Sequence, residues 1–142
     1  MSDVAVRIAA AATLLWLGMV LAISFLEAPL KFRAPGLELR VGLAIGRIVF
    51  RALNLAEVFW AVMIAVCLFA DPQSGAITAV AVIAGALLVI QLVVVRPRLN
   101  RRSNQVLAGA DAPRSSAHHA YIVLEALKVA SLIALGYYLL AA

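Results

Sequence analysis

Residues 120–141 read AYIVLEALKVASLIALGYYLLA, and they decide the fold. The stretch is long enough to cross a bilayer core, which takes about 20 mostly apolar residues. Yet it holds Glu125 and Lys128. A charge in hydrocarbon is costly, so ionisable groups inside a span face a bundle interior and pair with one another. One helix alone offers no interior. The stretch therefore predicts several spanning helices packed around a polar centre.

Three more segments meet the same length criterion, at 6–26, 48–70 and 76–95. In lipid every backbone N–H and C=O needs a partner within its own segment, so each span is read as a helix. The chain is 65% hydrophobic, with a mean hydropathy of +1.05. That composition leaves no room for a soluble domain. The expectation is an all-α, four-helix transmembrane bundle forming one domain over 1–142. The first span is too long for an ordinary signal-peptide core and lacks a clear small-residue cleavage site, so it is read as retained.

The connections differ. Pro29, Pro35 and Gly36 lie between the first two spans, and Pro29 is expected to end or kink the first helix. Asp71-Pro72-Gln73-Ser74-Gly75 is a tight turn that makes spans two and three antiparallel neighbours. The third connection, 96–119, is basic and rich in Ser, Gly and Pro. Lys31, Arg33, Arg40, Arg47 and Arg51 flank the first connection, and Arg96, Arg98, Arg101, Arg102 and Arg114 the third. Only Arg7 lies on the opposite side. The positive-inside rule then puts both basic loops in the cytoplasm and both termini outside, in a plasma (inner) membrane. A pI near 10.2 suggests nucleic acid at first sight. The basic residues lie between apolar spans, so anionic lipid headgroups are the expected partners and nucleic acid is not.

Within that frame the polar residues gather toward the cytoplasmic ends. Ser24, Glu27 and Lys31 share one face of the first helix if it survives Pro29. Arg47, Arg51 and Asn54 cluster on one face of the second, with Glu57 at its edge. Glu57 lies about 15 Å into its span, near mid-membrane, and is expected to face the bundle with a partner. In the fourth span His118, Tyr121, Glu125 and Lys128 form one inward stripe. Glu125 and Lys128 could pair with each other at i, i+3. Alternatively Lys128 answers Glu57 while Glu125 answers Arg51. Gln91 reads as a helix–helix hydrogen bond. Trp16 and Trp60 read as packing, and Gly42-x-x-x-Gly46 as a close helix approach.

Redox and metal chemistry find little support. Cys67 is the single cysteine, so no internal disulfide or CxxC pair exists. The only histidines, His118 and His119, are adjacent and point apart on a helix, so no zinc site is expected. Serine-nucleophile and phosphate-loop patterns are absent.

Two family resemblances follow from short motifs. Trp16-Leu17-Gly18-Met19 and Phe25-Leu26-Glu27-Ala28-Pro29-Leu30-Lys31-Phe32, with Arg96-Pro97 and His118, resemble small four-helix proteins of the copper-resistance-D-like superfamily. That superfamily includes HemJ-type protoporphyrinogen oxidases, which would imply haem. The first helix here lacks a histidine, so haem is not expected. Arg51-Ala52-Leu53-Asn54-Leu55-Ala56-Glu57, with Lys31-Phe32-Arg33 before it, is similar to a helix-two motif of the MAPEG family of glutathione-dependent membrane enzymes. That resemblance implies glutathione, with Arg51 on a carboxylate and Asn54 and Glu57 on polar peptide groups. It also implies a site between subunits, hence a homo-oligomer. The family's Arg and Tyr pattern in later helices is not matched beyond Tyr121.

The expected function is binding or movement of a small or amphiphilic, anionic ligand in a cytoplasmic-side pocket walled by helices one, two and four. Its wall would be Arg51, Asn54, Glu57, Tyr121, Glu125 and Lys128, with Glu27, Lys31, Arg47 and His118 as secondary contributors. Alternatives are a glutathione-dependent enzyme, a haem-binding oxidoreductase, and a structural partner whose buried ion pairs fix helix register. The outer half of each helix offers nothing polar enough to complete a proton path, which argues against a simple channel.

Overall fold

The computed structural model describes residues 2–109 and 116–142. Arg114, counted above among the basic loop residues, lies outside them. Four helical rods make up the molecule: α1, Asp3–Lys31; α2, Leu39–Ala70; α3, Gly75–Leu107; and α4, Ser116–Ala141. Each is long and apolar enough to cross a membrane. No strand occurs among the described residues. The protein is an all-α, four-helix integral membrane protein.

Helix α1 packs against both α2 and α4, and α3 packs against α4. The core at the end holding the 71–74 turn is apolar: Ala9, Ala12, Ile64, Ala84, Leu132 and Leu135 meet there. Small side chains let backbones approach closely where lipid supplies no hydrophobic drive between helices. Thr13, the buried polar residue in this half among the described residues, is satisfied within α1 by the Ala9 carbonyl at 2.7 Å. The turn closes as its composition predicts. The Ser74 hydroxyl caps α3 by accepting from the Ile77 N–H at 3.4 Å. The Gln73 amide donates to the Asp71 carbonyl and carboxylate, both at 3.0 Å.

The rods outrun the apolar segments read from the sequence. Residues 39–47 and 96–107 are helical rather than loop. At 1.5 Å per residue, α2 is about 48 Å long, well beyond the roughly 30 Å of hydrocarbon. Hydropathy sees only the buried part; the remainder is a pair of basic helical prongs. They are tied together by Arg40 donating to the Leu107 carbonyl at 2.8 Å and Arg47 donating to the Asn104 side-chain oxygen at 2.6 Å.

Proline does not end α1 or α3. Each rod carries a π-helical turn just before its proline: Leu21–Glu27 before Pro29, and Gln91–Val95 before Pro97. The Ala28 N–H reaches back five residues to the Ile23 carbonyl, and the Arg96 N–H to the Gln91 carbonyl. A proline lacks an N–H, and its ring crowds the carbonyl four residues earlier. Widening the preceding turn relieves that crowding, so the helix runs on.

Gly42 and Gly46 let the end of α1 close onto α2. The Phe32 ring fills the space that a side chain on Gly42 would need, and the Lys31 ammonium lies 3.2 Å from where a Gly46 Cβ would sit. Gly18 has open space beside it, with nothing within 4 Å. Gly42→Val should therefore destabilise by about 1–3 kcal/mol through overpacking. Gly18→Ala should be neutral or stabilise by up to about 1 kcal/mol. Thermal unfolding of the detergent-solubilised variants checks both.

Candidate functional site

The three intramembrane charges meet. The Lys128 ammonium pairs with Glu57 Oε2 and with Glu125 Oε1, the latter at 2.6 Å, and donates to Gln91 Oε1 at 2.7 Å. An ammonium has three donors, and all three are used. Glu57 Oε2 also accepts from the Trp16 indole N–H at 2.8 Å. Glu125 accepts from the Ser24 hydroxyl at 2.7 Å and from the Gln91 amide at 3.3 Å. Ser24 and Trp16 come from α1, Glu57 from α2, Gln91 from α3, and Glu125 and Lys128 from α4. Every helix thus contributes to one network. Glu57 and Lys128 are 0% exposed and Glu125 is 1% exposed.

Both sequence alternatives for Lys128 hold at once, since it bridges Glu57 and Glu125. The proposed Arg51–Glu125 pair does not form; Ser24 and Gln91 take that place. Trp16 is more than packing, because its N–H supports Glu57. At the basic end of α1, Glu27 and Lys31 form an ion pair at 3.6 Å, as their spacing predicts. His118 stands edge-on to His119 at the start of α4. Among the described residues no three His, Cys, Asp or Glu side chains gather as a metal set.

The charged side chains of the network line neither of two grooves, both of which lie between α2 and α3. These helices leave the turn together, but α1 and α4 take up most of their packing. The expected wall of one pocket is accordingly divided. Arg51 and Asn54 line the groove at the basic end; Glu57, Glu125 and Lys128 are sealed in the core. Tyr121 lies between the two, buried under the Arg96 guanidinium.

The basic groove holds about 470 Å³. Its polar lining is Arg47, Arg51, Asn54, Arg96 and Asn100, with no carboxylate. The Arg96 guanidinium stacks 5.0 Å from the Phe50 ring and 4.8 Å from the Tyr121 ring. Those rings meet each other edge to face at 6.0 Å. Aromatic faces hold a guanidinium in place without spending its donors. Arg96 Nε and Nη2 are buried and have no hydrogen-bond partner. Arg51 is exposed and makes no ion pair among the described residues.

Arg96 and Asn100 are absent from the sequence-derived wall. Bounding the third span at Val95 by its apolar run put both in a loop. Their i, i+4 spacing becomes informative only on a rod that continues. The second groove, at the turn end, holds about 510 Å³ and is lined by Ala61, Ala65, Phe69, Val82 and Gly85, with Trp16 and Leu135 also contributing. It is nearly all apolar.

Removing one partner from a buried ion pair leaves an uncompensated charge and costs about 3–5 kcal/mol. Lys128→Met should therefore be severely destabilising, because it strands two carboxylates. Adding Glu57→Gln and Glu125→Gln in the same chain should recover most of the loss, and thermal unfolding in detergent reads the difference.

No family model, curated protein or solved structure matches this chain.

Proposed function

We propose that this protein binds an anionic ligand in the groove between α2 and α3, at the cytoplasmic face of the inner membrane. The observation that carries the reading is a trio of guanidiniums, Arg47, Arg51 and Arg96, in one groove without a carboxylate. Two buried guanidinium nitrogens of Arg96, Nε and Nη2, lack a partner. Leaving a buried donor unmet costs roughly 1–3 kcal/mol, more when it is charged. An anion entering the groove meets three guanidiniums at once and screens the mutual repulsion of the three cations. Carboxylates and phosphates suit the guanidinium fork best. The ion network supports this role indirectly by fixing the register of the four helices.

The lysine and arginine count supports a cytoplasmic basic end and outward termini. A second reading, a glutathione-using enzyme related to the MAPEG family, is favoured by Arg51 and Asn54 both lining the groove. It loses Glu57, which is held by Lys128 and Trp16. The Pro29 and Arg96-Pro97 motifs support a scaffold of the copper-resistance-D-like kind.

The binding reading is tested by thermal stabilisation of the detergent-solubilised protein. Dihexanoyl phosphatidic acid, a soluble anionic probe, should raise Tm in a saturable manner. Arg96→Gln should weaken that probe about tenfold to hundredfold, the value of a charge-assisted hydrogen bond of about 1.5–3 kcal/mol. Saturable protection by millimolar glutathione but not by the lipid probe would favour the enzyme. The absence of any anion effect would remove both.

Orientation has its own check. In a Cys67→Ser background, Ser103→Cys should react with a membrane-impermeant thiol reagent only from the cytoplasmic side. Ser74→Cys should react only from outside, and the reverse pattern would invert the topology.

A further inference from the structure

We infer that the ligand of the basic groove is an anionic phospholipid, its phosphate against Arg51 and Arg96 and one acyl chain lying between α2 and α3 toward the apolar groove. The inference rests on the anion-binding reading above and specifies the ligand's class.

The two grooves share their walls. On α2 the basic groove is lined down to Val58, and the apolar groove begins at Ala61, less than one turn further. On α3 the lining passes from Leu92 to Gly85, about two turns. The lower part of the basic groove is already apolar, formed by Leu55, Val58 and Leu92. Polarity therefore falls along the α2–α3 seam, from three guanidiniums in one groove to hydrocarbon in the next. An amphiphile with a charged head and an apolar tail has the same gradient.

The depth also fits. About 30 Å of hydrocarbon, counted back along α2 from Asp71, reaches Arg51. Arg51 thus sits where headgroups lie. From Arg51 to Ala61 is about 15 Å along the helix, roughly one leaflet. A chain anchored by its phosphate at Arg51 ends at the mouth of the apolar groove. That groove is recessed rather than a flat surface facing lipid, because Trp16 of α1 and Leu135 of α4 contribute to its lining. Ala61, Ala65 and Gly85 keep its walls low, and a side chain added at Gly85 would meet nothing within 4 Å. A free phosphate or a small carboxylate would use only the basic half.

Trp16 provides the readout. The chain has two tryptophans, and Trp60 lines neither groove. The Trp60→Phe protein, in phosphatidylcholine nanodiscs, receives a minor fraction of lipid brominated along its acyl chains. Brominated phosphatidic acid should quench Trp16 at least twofold more than brominated phosphatidylcholine at the same fraction. The double variant Arg51→Gln, Arg96→Gln should reduce the acidic lipid to the choline lipid's level. Gly85→Leu, which fills the apolar groove, should do the same, with its Tm reporting whether it folds. Equal quenching by the two lipids, with dihexanoyl phosphatidic acid still stabilising the protein, would overturn the chain placement and leave anion binding standing. Equal quenching with no such stabilisation would overturn both.

Discussion

An ammonium ion buried in hydrocarbon has to spend every one of its three protons on an acceptor, and the bundle is arranged around that demand. Lys128 uses its donors on Glu57, Glu125 and Gln91, which come from three different helices. The carboxylates in turn draw in Trp16 and Ser24 from the remaining helix. Apolar packing alone would let four greasy rods slide or rotate past one another, because lipid competes equally for their surfaces. A hydrogen-bonded charge does not permit such slippage. The network thus defines one relative height and one rotation for each helix, and the grooves inherit their shape from it.

Much of this was legible in the chain. The four spans, the tight turn at Asp71 and the inward aim of Glu57, Glu125 and Lys128 follow from the cost of charge in oil. The Glu27–Lys31 pair followed from spacing. The helix ends did not, because hydropathy registers immersion rather than winding, and residues 39–47 and 96–107 are helical in polar surroundings. Nor did the continuation past Pro29 and Pro97. A proline ordinarily stops a helix, and nothing in its neighbours announces a widened turn that accommodates it.

The site was legible only in fragments. Arg51 and Asn54 were found from their shared face. Grouping them with Glu57 assumed that residues near one helical edge open into one cavity, whereas the packing of α1 over Glu57 closes that side. The groove itself arises from how α2 and α3 separate beyond a short turn. That separation depends on α1 and α4 pairing elsewhere, which no local pattern encodes. Arg96 is the clearest case: a guanidinium beside a proline looks like a loop cation until Phe50 and Tyr121 are seen beneath it.

The two π-helical turns also alter which residues travel together. Along regular winding, positions five apart are about 140° out of phase. Across a turn bonded i to i+5 they come nearly into line. Gln91 and Arg96 are bonded in that manner. One therefore reaches the Lys128 network while the other, a single loop of backbone later, lies over Tyr121, which precedes Glu125 by one turn of α4. Tightening α3 into ordinary helix would swing Arg96 away from its aromatic bed without changing a single atom of either side chain. The interior and the cation-lined groove are in this sense geared to each other through the pitch of one helical turn.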